Sequence, residues 1–283
     1  MLRTTILALG LLASTVGVAS AGLMEDAKAG KAIRVGFAEQ EPFIVTGPNG
    51  QLTGYEVDLL KAVLSKMNIN AKLEAVPTQF GALIPGLQAK RFDIIASDLY
   101  IRPDRCKLVA FAEPTHFVND GLIVKAGNPK GIHSFQDVAK NPLLKIGYLV
   151  GGGPIADHAI AMGVTKEQLV TLPDIVSLLA AVKTGRVDAF LNPAVTTQST
   201  LKTANDPTIE RAMPFQQAII DGKTVQGIGS YAFRLEDKDF VTEFDKHLLS
   251  ILKSGEVLKI GEPYGFTKED IPSGSPTTAD LCK

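Results

Sequence analysis

The chain has 283 residues, 45% of them hydrophobic, with 29 Lys and Arg against 30 Asp and Glu and a formal net charge of −1. That composition allows a substantial core, and it excludes a basic face for nucleic acid and a long charged disordered tail. Four scattered histidines (His116, His133, His158, His247) and two cysteines make no ligand-spaced set, so neither a metal nor a cofactor is expected.

Taken in chain order, the first element is not part of the fold. Arg3 precedes an apolar run from Ile6 to Val18 that is too short to span a bilayer comfortably, and Ala19-Ser20-Ala21 is a small-x-small cleavage site. Residues 1–21 therefore read as a secretory signal peptide, cleaved after Ala21, and the mature chain is expected in the periplasm. About 262 residues remain, enough for two domains.

Residues 33–37 read as a buried strand. Pro48-Asn49-Gly50 is a tight turn with a short return strand over 51–53. Val57, Leu60, Val63 and Leu64 recur at helical spacing and predict a helix over 55–67. A strand over 73–76, a helix over 81–89 and a strand over 92–96 follow, the βαβ order of a mostly parallel sheet. A polar turn then leads to Pro103, which suits the start of a helix, with Arg105 one turn inside it. This places a guanidinium at the C-terminal edge of a sheet, where ligands of open α/β sheets bind. Its planar, permanently charged fork suits a carboxylate.

The second half repeats the order. A strand over 146–150 runs into Gly151-Gly152-Gly153-Pro154 and a helix over 155–162. Asp174 reads as the N-cap of a helix through 183, followed by a strand over 187–191. Residues 87–94 match 182–189 in character: a helix end, a turn, an Arg, an apolar residue, an Asp, then a strand. That predicts one supersecondary unit used once in each of two lobes. A strand over 230–234 and an amphipathic helix over 239–253 complete the pattern. Cys106 and Cys282 pair by default in an oxidising compartment, the alternative being two separate thiols. A bridge would place residues 223–283 with residues 22–125 in lobe one and leave 126–222 as lobe two. Two crossings between lobes make a hinge with a ligand crevice beside it.

Several short stretches together resemble a known family. They are Glu41-Pro42-Phe43, Gly54-Tyr55-Glu56-Val57-Asp58-Leu59, Ile84-Pro85-Gly86-Leu87, Phe92-Asp93-Ile94-Ile95, Pro103-Asp104-Arg105 and Gly185-Arg186-Val187-Asp188-Ala189. Over nearly the whole mature chain they resemble the extracellular solute-binding proteins of ABC importers, in the polar amino-acid branch (family 3). The resemblance implies a two-lobed, type II periplasmic-binding-protein fold, each lobe a mostly parallel α/β sheet flanked by helices. It implies a monomeric binding protein, not an enzyme, that closes on one small solute and delivers it to an inner-membrane permease. Phe80 to Leu87, Cys106 directly after the arginine, Ala204-Asn205-Asp206-Pro207, Glu262 to Phe266 and Leu281-Cys282 are similar to the ectoine/hydroxyectoine-binding members.

The family's pocket positions carry over residue by residue. The resemblance puts the carboxylate-binding arginine on Arg105 and pocket aromatics on Phe43, Phe80 and Tyr100. The second-lobe aspartate that grips the ammonium of amino acids falls on Pro193, and the first-lobe acidic position falls on Gln40, between Glu39 and Glu41. Asp98 stands where the family has Gly and is the candidate replacement acid. From lobe two, Gly152 and Gly153 would bring helix N-terminal amides to the carboxylate, and Asn192 would add a hydrogen bond. Three rings and an arginine without an ammonium clamp suit a zwitterion with a diffuse or methylated cation, such as ectoine or hydroxyectoine. The alternatives are a polar amino-acid or opine binder and an exported cyclohexadienyl or arogenate dehydratase using Glu39, Glu41 or Asp98 as an acid.

Overall fold

The computed structural model describes residues 22–274 and 276–283, so the expected signal peptide lies outside the described residues. In the first lobe, β1 (Ile33–Phe37) lies between β2 (Leu73–Pro77) and β3 (Ile94–Tyr100) and runs parallel to both. Helix α1 (Tyr55–Lys66) buries Tyr55, Val57, Leu59, Leu60, Val63 and Leu64, the face its spacing predicts. Helix α2 (Leu83–Gln88) makes the second crossover.

Strand β3 is buried along its whole length and continues to Tyr100, where the sequence suggested a polar turn. Its polar groups are satisfied from a distance. Ser97 Oγ accepts from the Ala38 amide (3.0 Å) and donates to the Ala38 carbonyl (3.2 Å). The Asp98 amide donates to the Glu56 carboxylate (3.1 Å). With partners supplied, burial costs little. Pro103 then opens the short helix α3 (Pro103–Cys106) as expected. The Cys106–Cys282 disulfide ties the C-terminal segment to this helix across 176 residues.

Strands β4 (Ala110–Phe111) and β5 (His116–Val118) stay in the first sheet, but β6 (Asp120–Lys125) belongs to the second. The first crossing is therefore at Asn119, not at Lys125. The apolar stretch over 121–124 reads like a continuation of lobe one and hides the change of sheet. In lobe two, β7 (Ile146–Leu149) lies parallel between β8 (Leu169–Leu172) and β9 (Ala189–Pro193). Helices α4 (Gly153–Ala161), α5 (Ile175–Thr184) and α6 (Ala194–Ala204) flank it, with Asp174 capping α5 through the Ser177 amide (2.7 Å). Strand β10 (Ile209–Arg211) closes the edge beside β6. The chain returns at Gln226, whose amide donates to Asn119 Oδ1 (3.2 Å), and enters β11 (Gly227–Phe233) of the first sheet. The Val225 amide still bonds to Ala218, so this crossing falls after the expected residue 223. Helix α7 (Lys238–Ser254) then buries Phe240, Phe244, Leu248 and Ile251.

The strand orders are β2-β1-β3-β11-β4, with β5 also on β11, and β8-β7-β9-β6-β10. Each sheet is a parallel triplet extended by antiparallel strands, so both are mixed rather than mostly parallel. The double crossing is the reason. Strands β6 and β11 start at the hinge and run away from it, whereas β3 and β9 end there: Asp120 pairs with Pro193, and Gly229 with Tyr100. The internal similarity also has a structural meaning. The Asp93 amide bonds to the Arg34 carbonyl (2.8 Å) and its carboxylate takes the Arg34 amide (3.0 Å). Asp188 does the same with Lys145, at 2.8 and 2.9 Å.

Candidate functional site

The C-terminal ends of β3, β7 and β9 face one another across the hinge. Between them lies a small cavity. Lobe one lines it with Gln40, Phe80, Asp98, Tyr100 and Arg105. Lobe two contributes Asn192, the backbone bend at Gly152, and apolar or proline positions: Leu149, Pro154, Ile155, Leu191 and Pro193.

Arg105 is 8% exposed. Its Nη1 donates to the Tyr100 carbonyl (2.9 Å) and its Nη2 to the Gly151 carbonyl of lobe two (2.9 Å). The guanidinium carbon lies 5.9 Å from the Phe80 ring centroid, over its face. Loss of water pushes the guanidinium down to about 10, still charged at neutral pH. Its other donors remain for an anion. The lobes also meet at Arg102 with Asp157, and at Thr203, which donates to Glu41 Oε2 (2.6 Å).

Asp98 is the acid of the cleft. Its backbone is left-handed (φ 49°), a conformation that short polar residues tolerate. Oδ1 lies 2.7 Å from His116 Nε2, and Oδ2 accepts from Gln40 Nε2 (3.1 Å). Burial raises its carboxyl, while the bonds from His116 and Gln40 and the charge of Arg105 oppose the rise. Behind it, Glu56 is fully buried, and desolvation together with the Asp98 charge holds its carboxyl well above the usual range. Of the three neighbouring polar positions, Gln40 faces the cleft. Glu39 turns to the Thr46 amide and hydroxyl, and Glu41 reaches Thr203.

Arg105, Tyr100, Phe80, Gln40, Asp98, Gly152 and Asn192 thus come together as expected positions of one cavity. Phe43 does not line it. Its ring is fully buried 4.8 Å from the His116 ring and 5.5 Å from Phe266, one layer behind the cleft. The tight turn that bonds the Gln40 and Ile44 backbones aims Gln40 outward and Phe43 inward. The amide cradle expected of the glycine run is also smaller. Gly153 opens α4, Gly152 spends its amide on the Leu149 carbonyl (2.8 Å), and Pro154 has none. Sequence reasoning missed His116 and Glu56. His116 sits at no motif spacing, so only the fold brings it to Asp98.

A family model for the bacterial extracellular solute-binding proteins, family 3, matches residues 33–268. The chain is 36% identical over 267 residues to a probable amino-acid ABC transporter periplasmic-binding protein of Sinorhizobium fredii, covering 94% of this chain and 87% of that one. Among solved structures it is similar to EhuB in complex with hydroxyectoine, at 32% identity and a TM-score of 0.79, covering 92% of this chain and 97% of that chain. It is also similar to an ancestral amino acid-binding protein described as a precursor of cyclohexadienyl dehydratase, at 26% identity and a TM-score of 0.69, with 85% and 98% covered.

Proposed function

This chain belongs to family 3 of the bacterial extracellular solute-binding proteins, and from that premise we propose that its cleft captures a small zwitterion of the ectoine and hydroxyectoine type. The protein is the periplasmic solute-binding component of an ABC importer. The observation that carries the ligand reading is Arg105, desolvated between two lobes with donors to spare. A carboxylate fits it through charge-assisted bonds.

Three further points support a small zwitterion. The cavity is small and is lined from both lobes, which suits a solute rather than a peptide. Pro193 stands where amino-acid binders keep their ammonium-gripping acid, and Asp98 offers a negative charge from the other lobe. Gln40 Oε1, Tyr100 Oη and Asn192 Nδ2 are buried without partners, as ligand-reading atoms would be.

In this mechanism the solute docks on lobe one, its carboxylate on Arg105 and its cationic end toward Asp98. Lobe two then closes over it with Asn192 and the bend at Gly152. Closure is favoured by contacts that exist only when the lobes meet: Arg105 to Gly151, Arg102 to Asp157 and Thr203 to Glu41. The export segment at residues 1–21 is removed before this stage, and the closed form is handed to the permease. No bond of the solute is broken, so incubation with prephenate or arogenate is expected to give no turnover.

Calorimetry with ectoine, hydroxyectoine, polar amino acids and octopine tests the reading. Ectoine-type solutes are expected to bind, and Arg105→Ala to weaken them about 100-fold, the scale of a charged hydrogen-bond pair. Wild-type affinity in that variant, or binding of amino acids alone, would end the assignment.

A further inference from the structure

We infer that the first-lobe floor of the cleft reads N–H donors, through Gln40 Oε1 and Asp98 with His116 as the positioning residue behind them. The cation it accepts then carries at least two N–H groups, and a quaternary ammonium is refused. This deepens the proposed function and rests on it.

Gln40 is 2% exposed. Its amide nitrogen donates to Asp98 Oδ2 (3.1 Å) and to Thr196 Oγ1 of the opposite lobe (3.4 Å). With both amide hydrogens directed away, the orientation of the group is settled. Oε1 is left as a buried acceptor with no partner, in a residue that lines the cleft. Such an atom is costly to leave unpaired, and a ligand N–H would satisfy it.

Asp98 supplies the second acceptor. Its two oxygens take one bond each, from His116 and from Gln40, and keep lone pairs for a ligand. The mount is rigid. His116 is fully buried, with Thr115 Oγ1 2.9 Å from its other nitrogen and the rings of Phe43, Tyr55 and Phe266 around it. Gly229 leaves room for the pair. A Cβ there would stand 2.2 Å from His116 Nε2 and 2.9 Å from Asp98 Oδ1.

A quaternary ammonium cannot answer either acceptor. It would keep only the Coulombic attraction to Asp98 and would leave Gln40 Oε1 desolvated and unpaired, the arrangement by which a polar site rejects an analogue that lacks the hydrogen. Nor is there an aromatic cage to compensate. Phe43 is in the core, and Arg105 already lies over the face of Phe80, which leaves Tyr100. The methylated cation that three rings would have suited is therefore the wrong ligand for this cleft.

Calorimetry on the full mature chain, with ectoine and L-proline against glycine betaine and proline betaine, tests the inference. Ectoine is expected to bind at least about 30-fold more tightly than either betaine. Asp98→Asn keeps the left-handed backbone, and it is expected to weaken ectoine about tenfold and narrow the gap to the betaines. His116→Gln, which can still donate to Asp98, is expected to keep the selectivity, and His116→Phe to lose it. Thermal unfolding shows whether each variant folds, and Asp98→Asn alone decides if His116→Phe does not. A betaine bound within about threefold of ectoine, or an unchanged gap in Asp98→Asn, overturns the N–H reader and leaves the carboxylate anchor standing. Indifference of every ligand to Arg105→Ala overturns the anchor itself.

Discussion

The two faces of the cleft are built on opposite plans. The first-lobe face sets two rings, Phe80 and Tyr100, beside three charged or polar side chains that are held by packed neighbours: Arg105 by carbonyls, Asp98 by His116, Gln40 by Asp98. The second-lobe face is backbone bends, prolines and aliphatic groups, with Asn192 as the polar exception. The difference follows from the strand ends. Strand β3 carries Asp98 and Tyr100 to the cleft edge, while β9 ends in Pro193 and β7 runs into glycines. In the function proposed above, choice of solute therefore belongs to lobe one, and lobe two covers what has been chosen. The covalent tie is unequal as well, since the disulfide joins α3, which carries Arg105, to the C-terminal segment of the same lobe.

Removing that tie is the largest test of the asymmetry. Cys106→Ser with Cys282→Ser is expected to destabilise the protein by about 2–4 kcal/mol, although the chain-entropy model for so long a loop gives about 5. Hydrogen exchange should speed in α3 and at Thr278–Leu281, while the amides of α5 in lobe two keep their protection. Equal loss in both lobes would show that they unfold as one unit and break the comparison.

A smaller effect should also stay within lobe one. Asp245, on α7, accepts the Glu113 amide (2.8 Å), and burial pushes its carboxyl from 3.8 up to about 7. The folded state then holds a proton that the unfolded chain releases between those two values. Stability contributed by that proton is present at low pH and is lost as pH rises toward 7. Asp245→Asn should therefore raise stability at pH 8 by about 1–2 kcal/mol, after discounting for partial exposure, and leave it unchanged at pH 4. Melting curves at the two pH values check this, and a gain of the same size at both would show that the effect is not the titration.

How much of this site was legible in the sequence depends on how far away each partner lies. Arg105 was readable because its neighbours are local: a strand, a proline that starts a helix, and a cysteine beside it. The matched segments at 87–94 and 182–189 were readable because Asp93 and Asp188 each close a local strand pair. Phe43 was misplaced because the ring that draws it inward, Phe266, is far along the chain. The polar end of β3 looked like a turn because Glu56, which satisfies the Asp98 amide, belongs to another helix. The first crossing was hidden because Asn119 alone separates strands of two sheets. His116 gave no local signal, since its role depends on a single aspartate brought to it by β3.

The smallest effect probes the division of labour most directly. Asn192 is 4% exposed at the end of β9, and its Nδ2 is buried without a partner. One neutral hydrogen bond to a ligand is worth about 1 kcal/mol, so Asn192→Ala should weaken binding about fivefold. If lobe two acts only after docking, that loss should appear in the dissociation rate while association stays as in the wild type. Arg105→Ala differs in kind, because it removes the group on which the solute is proposed to land first. Stopped-flow kinetics on the two variants separates these cases. A fall in association rate for Asn192→Ala, or a loss as large as that of Arg105→Ala, would mean that lobe two takes part in selection and that the two faces are not divided as described.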